Sequence, residues 1–239
     1  MTGAMLTATI QRELKSLGNA PQAAILQRFF KTGPGEYGEG DRFRGIRVPF
    51  LRKLAQKYQE LSLTETLRLL QSAFHEDRLL ALLILIKQYY QGGTNVRGAI
   101  HRLYLEQARL VNNWDLVDAS APHLVGHYLA ERPKELLTRL AGSGVLWERR
   151  IAILATLHFI KQGDYDETLR VARLLLGDPE DLIHKAVGWM LREVGKRQLA
   201  VAEAFLQAHY QTMPRTMLRY AIERFPEARR QAYLRGAVP

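Results

Sequence analysis

HEDRLLALLILIKQYYQ (residues 75–91), LWERRIAILATLHFIKQ (146–162) and DLIHKAVGWMLREVGKR (181–197) decide the fold class. Each opens on charged side chains and continues with apolar residues three and four positions apart, the spacing that lines one face of an α-helix. Most of the chain repeats this pattern, so an all-α protein is expected. Helix-breaking residues punctuate it at Gly18-Asn19, the glycine-rich run 32–45, Gly92-Gly93, Asn112-Asn113, Pro133, residues 142–144, Gly163, Gly177 to Pro179, Pro214 and Pro226. Roughly a dozen helices of about 10 to 18 residues result.

If Arg78, Arg150 and Lys185 hold equivalent places in the three segments, they are 72 and 35 residues apart, near two repeats and one repeat of a helical pair. HEAT-type pairs run about 40 to 47 residues, so the match is loose. Stacked pairs bury a continuous core and present a curved face lined by every second helix. The expectation is a HEAT-like repeat α-solenoid with a basic concave face, spanning residues 1–239 as one domain, against the alternative of an irregular helical globule.

Composition narrows the function. With 47% hydrophobic and 24% charged residues, the chain of 239 residues is neither disordered nor fibrous. It has no cysteine, which removes disulfide scaffolds, thiolate metal sites and cysteine nucleophiles together. The most apolar stretch, residues 79–86, is far shorter than the roughly 20 residues of a bilayer helix. The first residues lack the charged-then-apolar layout of a signal peptide, so a cytoplasmic protein without membrane association is expected. A formal charge of +10 favours a polyanionic partner, because lysines and arginines that neutralise phosphates release condensed counterions. The excess is terminal: residues 1–60 carry 10 basic against 5 acidic side chains, and residues 180–235 carry 10 against 6. Nucleic acid is the leading candidate, and a basic but merely solvated surface is the alternative.

The segment NNWDLVDASAPHLVG (112–126) is the most unusual. Paired asparagines suit a helix start, where their side chains cap free N–H groups. Trp114 and Asp118 then share one helical face. Such a pair is either an aromatic anchor with a structurally paired acid, or a place where an indole face and an anion meet a cationic ligand. Arg149 and Arg150 follow Trp147 near the start of one later segment, and Lys185, Trp189 and Arg192 lie four and three residues apart on another. If equivalent helices face one side, Trp114, Asp118, Arg150 and Trp189 converge. No nucleophile–base pair accompanies them. The set suits stabilisation of a transient carbocation.

WDLVD (114–118), WERRIAIL (147–154), HKAVGWMLRE (184–193) and MPRTMLRYAIE (213–223), in this order, resemble the AlkD-like DNA alkylation repair family, and the similarity runs from about Phe29 to Phe225. The resemblance implies a HEAT-like-repeat DNA glycosylase that releases cationic N3- or N7-alkylated purines, such as 3-methyladenine and 7-methylguanine, from duplex DNA without base flipping. It implies monofunctional hydrolysis, no cofactor and no metal. By the same resemblance Trp114 and Trp189 line the site, Asp118 is the catalytic carboxylate, Arg150 anchors DNA, and Phe29 takes an aromatic place near the lesion. Arg47, Arg52, Lys53, Lys185, Arg192 and Lys196 are candidate phosphate contacts. The partner is then double-stranded DNA containing alkylated purines, and the protein is expected to act as a monomer. A non-catalytic DNA-binding repeat protein and a protein-interaction scaffold are the alternatives.

Two further features weigh less. The run KTGPGEYGEGDRFRGIRVP (31–49) departs from the family pattern; its acids Glu36, Glu39 and Asp41 oppose a phosphate loop, so a connector with unusual turns is expected. His123 and His127 lie four apart without an intervening acid, and are read as core or surface residues rather than half of a metal site.

Overall fold

The computed structural model describes residues 3–237, with side chains from Leu6 onward. Among them regular structure is helical, apart from one isolated bridge between Arg42 and Phe74. The fold is all-α and solenoid-like. Chain contacts divide it into two compact units, residues 1–120 and 121–239. No helix among the described residues is long and apolar enough to cross a membrane.

The first unit contains α1 (Gly3–Ser16), α2 (Ala20–Phe29), α3 (Val48–Lys57), α4 (Leu63–Leu70), α5 (His75–Gln91), α6 (Thr94–Glu106) and α7 (Trp114–Ala121), with a 3₁₀ turn at Ala108–Leu110. Helix α5 is its centre. Apolar on nearly every side, it buries Leu79, Leu80, Leu82, Ile84 and Leu85 completely or nearly so against α3, α4 and α6. Short connectors make these neighbours antiparallel. Gly18-Asn19 ends α1 as expected, and the Asn19 side chain caps α2 by accepting from the Gln22 N–H at 2.9 Å. The breaks between α3, α4 and α5 carry neither glycine nor proline; Ser62 caps α4 there.

The second unit runs through a π-turn (Pro122–Gly126), α8 (Glu135–Ala141), α9 (Leu146–Ala155), α10 (Leu157–Gln162), α11 (Asp166–Leu174), α12 (Asp181–Arg197), α13 (Leu199–His209), α14 (Arg215–Ala221) and α15 (Glu227–Arg235). Residues 146–162, expected as one helix, break at Thr156. The π-turn presses on that point: a Cβ on Gly126 would lie 2.2 Å from the Ala155 carbonyl oxygen. Helix α12 is the counterpart of α5, burying Ile183, Val187, Met190, Leu191 and Val194 against α9, α13 and α14. Gly188 permits the closest of these contacts, since a Cβ there would meet the Met217 carbonyl oxygen and the Tyr220 Cβ at 2.5 Å. The motifs around residues 184–193 and 213–223 therefore pack on each other.

Candidate active site

Helix α7 has two faces. Leu116, Val117 and Ser120 are fully buried, while Trp114 and Asp118, one turn apart, are half-buried on the opposite side. The inward face is fastened by Ser120, whose hydroxyl donates to the Leu116 carbonyl at 2.6 Å and lies 2.9 Å from the Tyr104 hydroxyl. Burial keeps that phenol protonated, and the negative charge of Asp118 acts in the same direction.

The start of α7 is anchored more heavily. Asn113, fully buried, accepts from the Trp114 N–H through its side-chain oxygen at 2.9 Å and donates its amide to Asp41 Oδ2 at 3.3 Å. It thus belongs to the helix start, as expected, but binds the first N–H of the helix rather than the second or third. Asp41, from the glycine-rich run, also accepts from Arg78 at 2.6 Å and pairs with His75 Nδ1 at 2.8 Å. The other imidazole nitrogen of His75 meets Asp115 Oδ2 at 2.9 Å. A chain of charges, Arg78–Asp41–His75–Asp115, therefore joins the first turn of α5, the glycine-rich run and the first turn of α7.

Burial works against charge on His75, yet the hydrogen bonds to Asp115 and Asp41 outweigh it and push the pKa up to about 9. Burial likewise opposes ionisation of Asp41, but the bonds and charges of His75 and Arg78 hold its carboxyl below the ordinary range. At neutral pH this is an imidazolium between two carboxylates. A parallel aromatic series follows the same path: Trp114 stacks on Phe30 at 5.1 Å, Phe30 on Phe43 at 5.0 Å and Phe43 on His75 at 4.5 Å. Phe29, 61% exposed, sets its ring edgewise to Trp114 at 6.0 Å. Phe29, Trp114 and Asp118 are thus brought to one region of the first unit.

The run 31–49 is a connector with unusual turns, Gly35, Gly40 and Gly45 all having positive φ. It is also a structural brace. The Glu76 carboxylate accepts the backbone N–H groups of Arg44, Gly45 and Ile46 at 2.8, 2.7 and 3.1 Å, and Asp77 binds the Arg44 guanidinium at 2.6 and 2.9 Å. Sequence reading missed Asp41, His75 and Asp115. The available signal was HEDR at residues 75–78, four charged or polar side chains opening a helix that is otherwise apolar on every side.

In the second unit Arg150 is 4% exposed and donates to the Leu182 carbonyl at 2.6 Å, tying α9 to the first turn of α12. Arg149 beside it binds Asp178 at 2.6 Å. Trp189 is half-buried on α12, its indole N–H donating to Glu193 at 3.3 Å. Burial raises the Glu193 pKa, but Lys196 and Arg197 prevail and hold it low.

The candidate phosphate contacts separate into two sets. Arg47, Arg52 and Lys53 are exposed around the start of α3, next to exposed Val48 and Phe50, and form no ion pair among the described residues. Lys185, Arg192 and Lys196 each meet a carboxylate, Asp181 at 2.7 Å, Glu223, and Glu193 at 2.6 Å. Their net attraction for phosphate is correspondingly smaller.

His123, His127 and His158 gather near the π-turn, and the rings of His127 and His158 are 5.1 Å apart. Burial, then Lys161 and His127, lower the pKa of His123; burial and the neighbouring histidines do the same for His158. No cluster among the described residues has the donor arrangement of a metal site.

None of the curated proteins matches the chain. A solved structure, that of a predicted DNA alkylation repair enzyme from Enterococcus faecalis, superposes with a TM-score of 0.68, covering 88% of this chain and 97% of that one at 19% identity. At that identity the likeness speaks for the fold. The model of the family described as DNA alkylation repair enzyme matches residues 10–225, nearly the whole length, and the chain belongs to that family.

Proposed function

We propose that this protein is a monofunctional DNA glycosylase that hydrolyses the N-glycosidic bond of cationic N3- and N7-alkylated purines in duplex DNA, without base flipping. The observation that carries the reading is the half-exposed pair Trp114 and Asp118, presented on one face of a helix whose other face is sealed. Membership of the DNA alkylation repair family supports DNA as the substrate and alkylation damage as the target.

The chemistry asks little of the protein. A purine alkylated at N3 or N7 already carries positive charge, so when its bond to C1′ breaks, the bonding pair neutralises the leaving base without acid catalysis. Charge then appears on the deoxyribose. The Asp118 carboxylate stabilises that oxocarbenium-like sugar and orients a water, which adds to C1′ and passes its proton to the carboxylate and on to solvent, leaving an abasic site. The Trp114 indole face adds cation-π attraction of about 0.5 to 2 kcal/mol as the charge grows. Lesion choice then comes from the lability of the cationic nucleotide, and the base need not enter a pocket.

In this reading Arg47, Arg52 and Lys53 supply much of the electrostatic attraction for the backbone, as exposed cations without carboxylate partners among the described residues. Arg150, Lys185 and Arg192 have a second role besides DNA contact, because each is engaged within the protein. No cofactor is required, and the protein acts in the cytoplasm as a monomer.

The test is incubation of the purified protein with a duplex containing 7-methylguanine, scored for released base and for alkali-labile sites. Release by the wild type and its loss in Asp118→Asn are expected. Duplex binding without release would instead favour a non-catalytic DNA-binding protein.

A further inference from the structure

We propose that the Asp41–His75–Asp115 chain, buried at Asp41 and His75, is a positioning device for excision, setting how α7 leaves Asn113 and therefore where Trp114 and Asp118 stand. The proposal rests on the reading of Trp114 and Asp118 as working residues. His75 itself, 2% exposed, touches no substrate; it acts through what it holds.

Three observations converge. Asp115 and Asn113 flank Trp114 in sequence, and both end at the same buried cluster, Asp115 on His75 at 2.9 Å and Asn113 on Asp41 at 3.3 Å. The indole of Trp114 also leads to His75 through Phe30 and Phe43, so its backbone and its ring share one reference point. The cluster is braced from behind, since Arg78 occupies the second oxygen of Asp41 and donates to the Ser72 carbonyl at 3.0 Å.

A core that needed only to be filled would not take this form. Burying an imidazole with the Asp41 carboxylate, and Asp115 in part, carries a desolvation penalty that well-packed apolar side chains avoid. What such a cluster adds is direction, because a hydrogen-bonded ring has one orientation while apolar contacts tolerate several. Asp118 lies less than one turn beyond Asp115, so tilting the first turn of α7 displaces its carboxylate together with the indole. A misplacement of about 1 Å at a reacting centre costs on the order of 100-fold in rate.

The test uses the full chain with Asp115→Ala, Asp115→Asn and His75→Gln. Asp115 is only partly buried, so its substitution should disturb folding less than a change at His75. Excision of 7-methylguanine should show kcat reduced about 10- to 100-fold in Asp115→Ala with KM and duplex affinity within about twofold of wild type. Asp115→Asn, which keeps an acceptor oxygen for His75, should recover most of that loss.

A second readout does not depend on catalysis. In a Trp147→Phe/Trp189→Phe background Trp114 is the sole indole, and adding Asp115→Ala should shift its emission as the stack on Phe30 loosens. Unchanged emission overturns the proposal, as does a kcat within about threefold of wild type. If the wild type releases no base at all, the glycosylase reading fails, and the emission change alone then decides whether the cluster positions α7.

Discussion

His75 Nε2 stands 2.9 Å from Asp115 Oδ2, joining the first turn of the most buried helix of the N-terminal unit to the first turn of the helix that presents Trp114 and Asp118. The ring is charged because a second carboxylate, Asp41, holds its other nitrogen. Stability and the presentation of the candidate site are therefore linked through one titratable group.

That linkage has a sign. The folded chain binds the His75 proton more tightly than an unfolded chain does, since the pKa rises from 6.5 to about 9 on folding. The resulting stabilisation, on the order of 3 kcal/mol, is whole below about pH 6.5, declines as pH rises towards 9, and is absent above it. Urea denaturation at several pH values across this window should show the decline in the wild type and none of it in His75→Gln.

Asp118→Asn should lower the excision rate about 100- to 1,000-fold, the range seen when one preorganised electrostatic group is removed from a transition state. Duplex affinity should be unchanged or improved, because a negative charge facing DNA is lost. Single-turnover base release and binding isotherms on the same duplex separate the two effects. A fully active Asp118→Asn protein would remove the assigned role.

The cations should differ in weight. Replacing Arg47, Arg52 and Lys53 together by Gln should lower the slope of log affinity against log salt by up to about 3. Lys185→Gln should change it less than any one of these, since Lys185 lies 2.7 Å from Asp181 and part of its field is already cancelled. Titrations on undamaged duplex at several salt concentrations make the comparison.

Gly188→Ala should destabilise the second unit. The added methyl would stand 2.5 Å from both a carbonyl oxygen and the Tyr220 Cβ, neither of which is the free end of a flexible side chain. Overpacking of this kind costs about 1 to 3 kcal/mol. Thermal melting should show the loss.

Asp41→Ala is expected to be among the most damaging substitutions outside the apolar core. It leaves the Arg78 guanidinium and the His75 imidazolium buried without their shared carboxylate, a loss on the order of 3 to 5 kcal/mol. Chemical denaturation of Asp41→Ala beside Glu36→Ala, an exposed acid of the same run, tests whether burial rather than charge count is responsible.

The sequence by itself determined the helical character, most of the helix ends and the sharing of a face by Trp114 and Asp118, although seven of the fifteen α-helices among the described residues are shorter than the expected length of about 10 to 18 residues. Those properties follow from local rules: apolar spacing, the stop signals of glycine and proline, and a helical turn of 3.6 residues. Even the weight of α5 and α12 could be read from their unbroken apolar faces. Tertiary structure decided the partners of the charged residues and the close approach of Gly126 to the Ala155 carbonyl beside the break at Thr156. Asp41 sits in a glycine-rich run whose neighbours Glu36 and Glu39 are exposed, and nothing local distinguishes it. It becomes the hub of the site's support because folding brings His75 to it from 34 residues away and Asn113 from 72. An ion pair depends on the distance between charges and the dielectric around them, and both are set by packing between segments rather than by order along the chain.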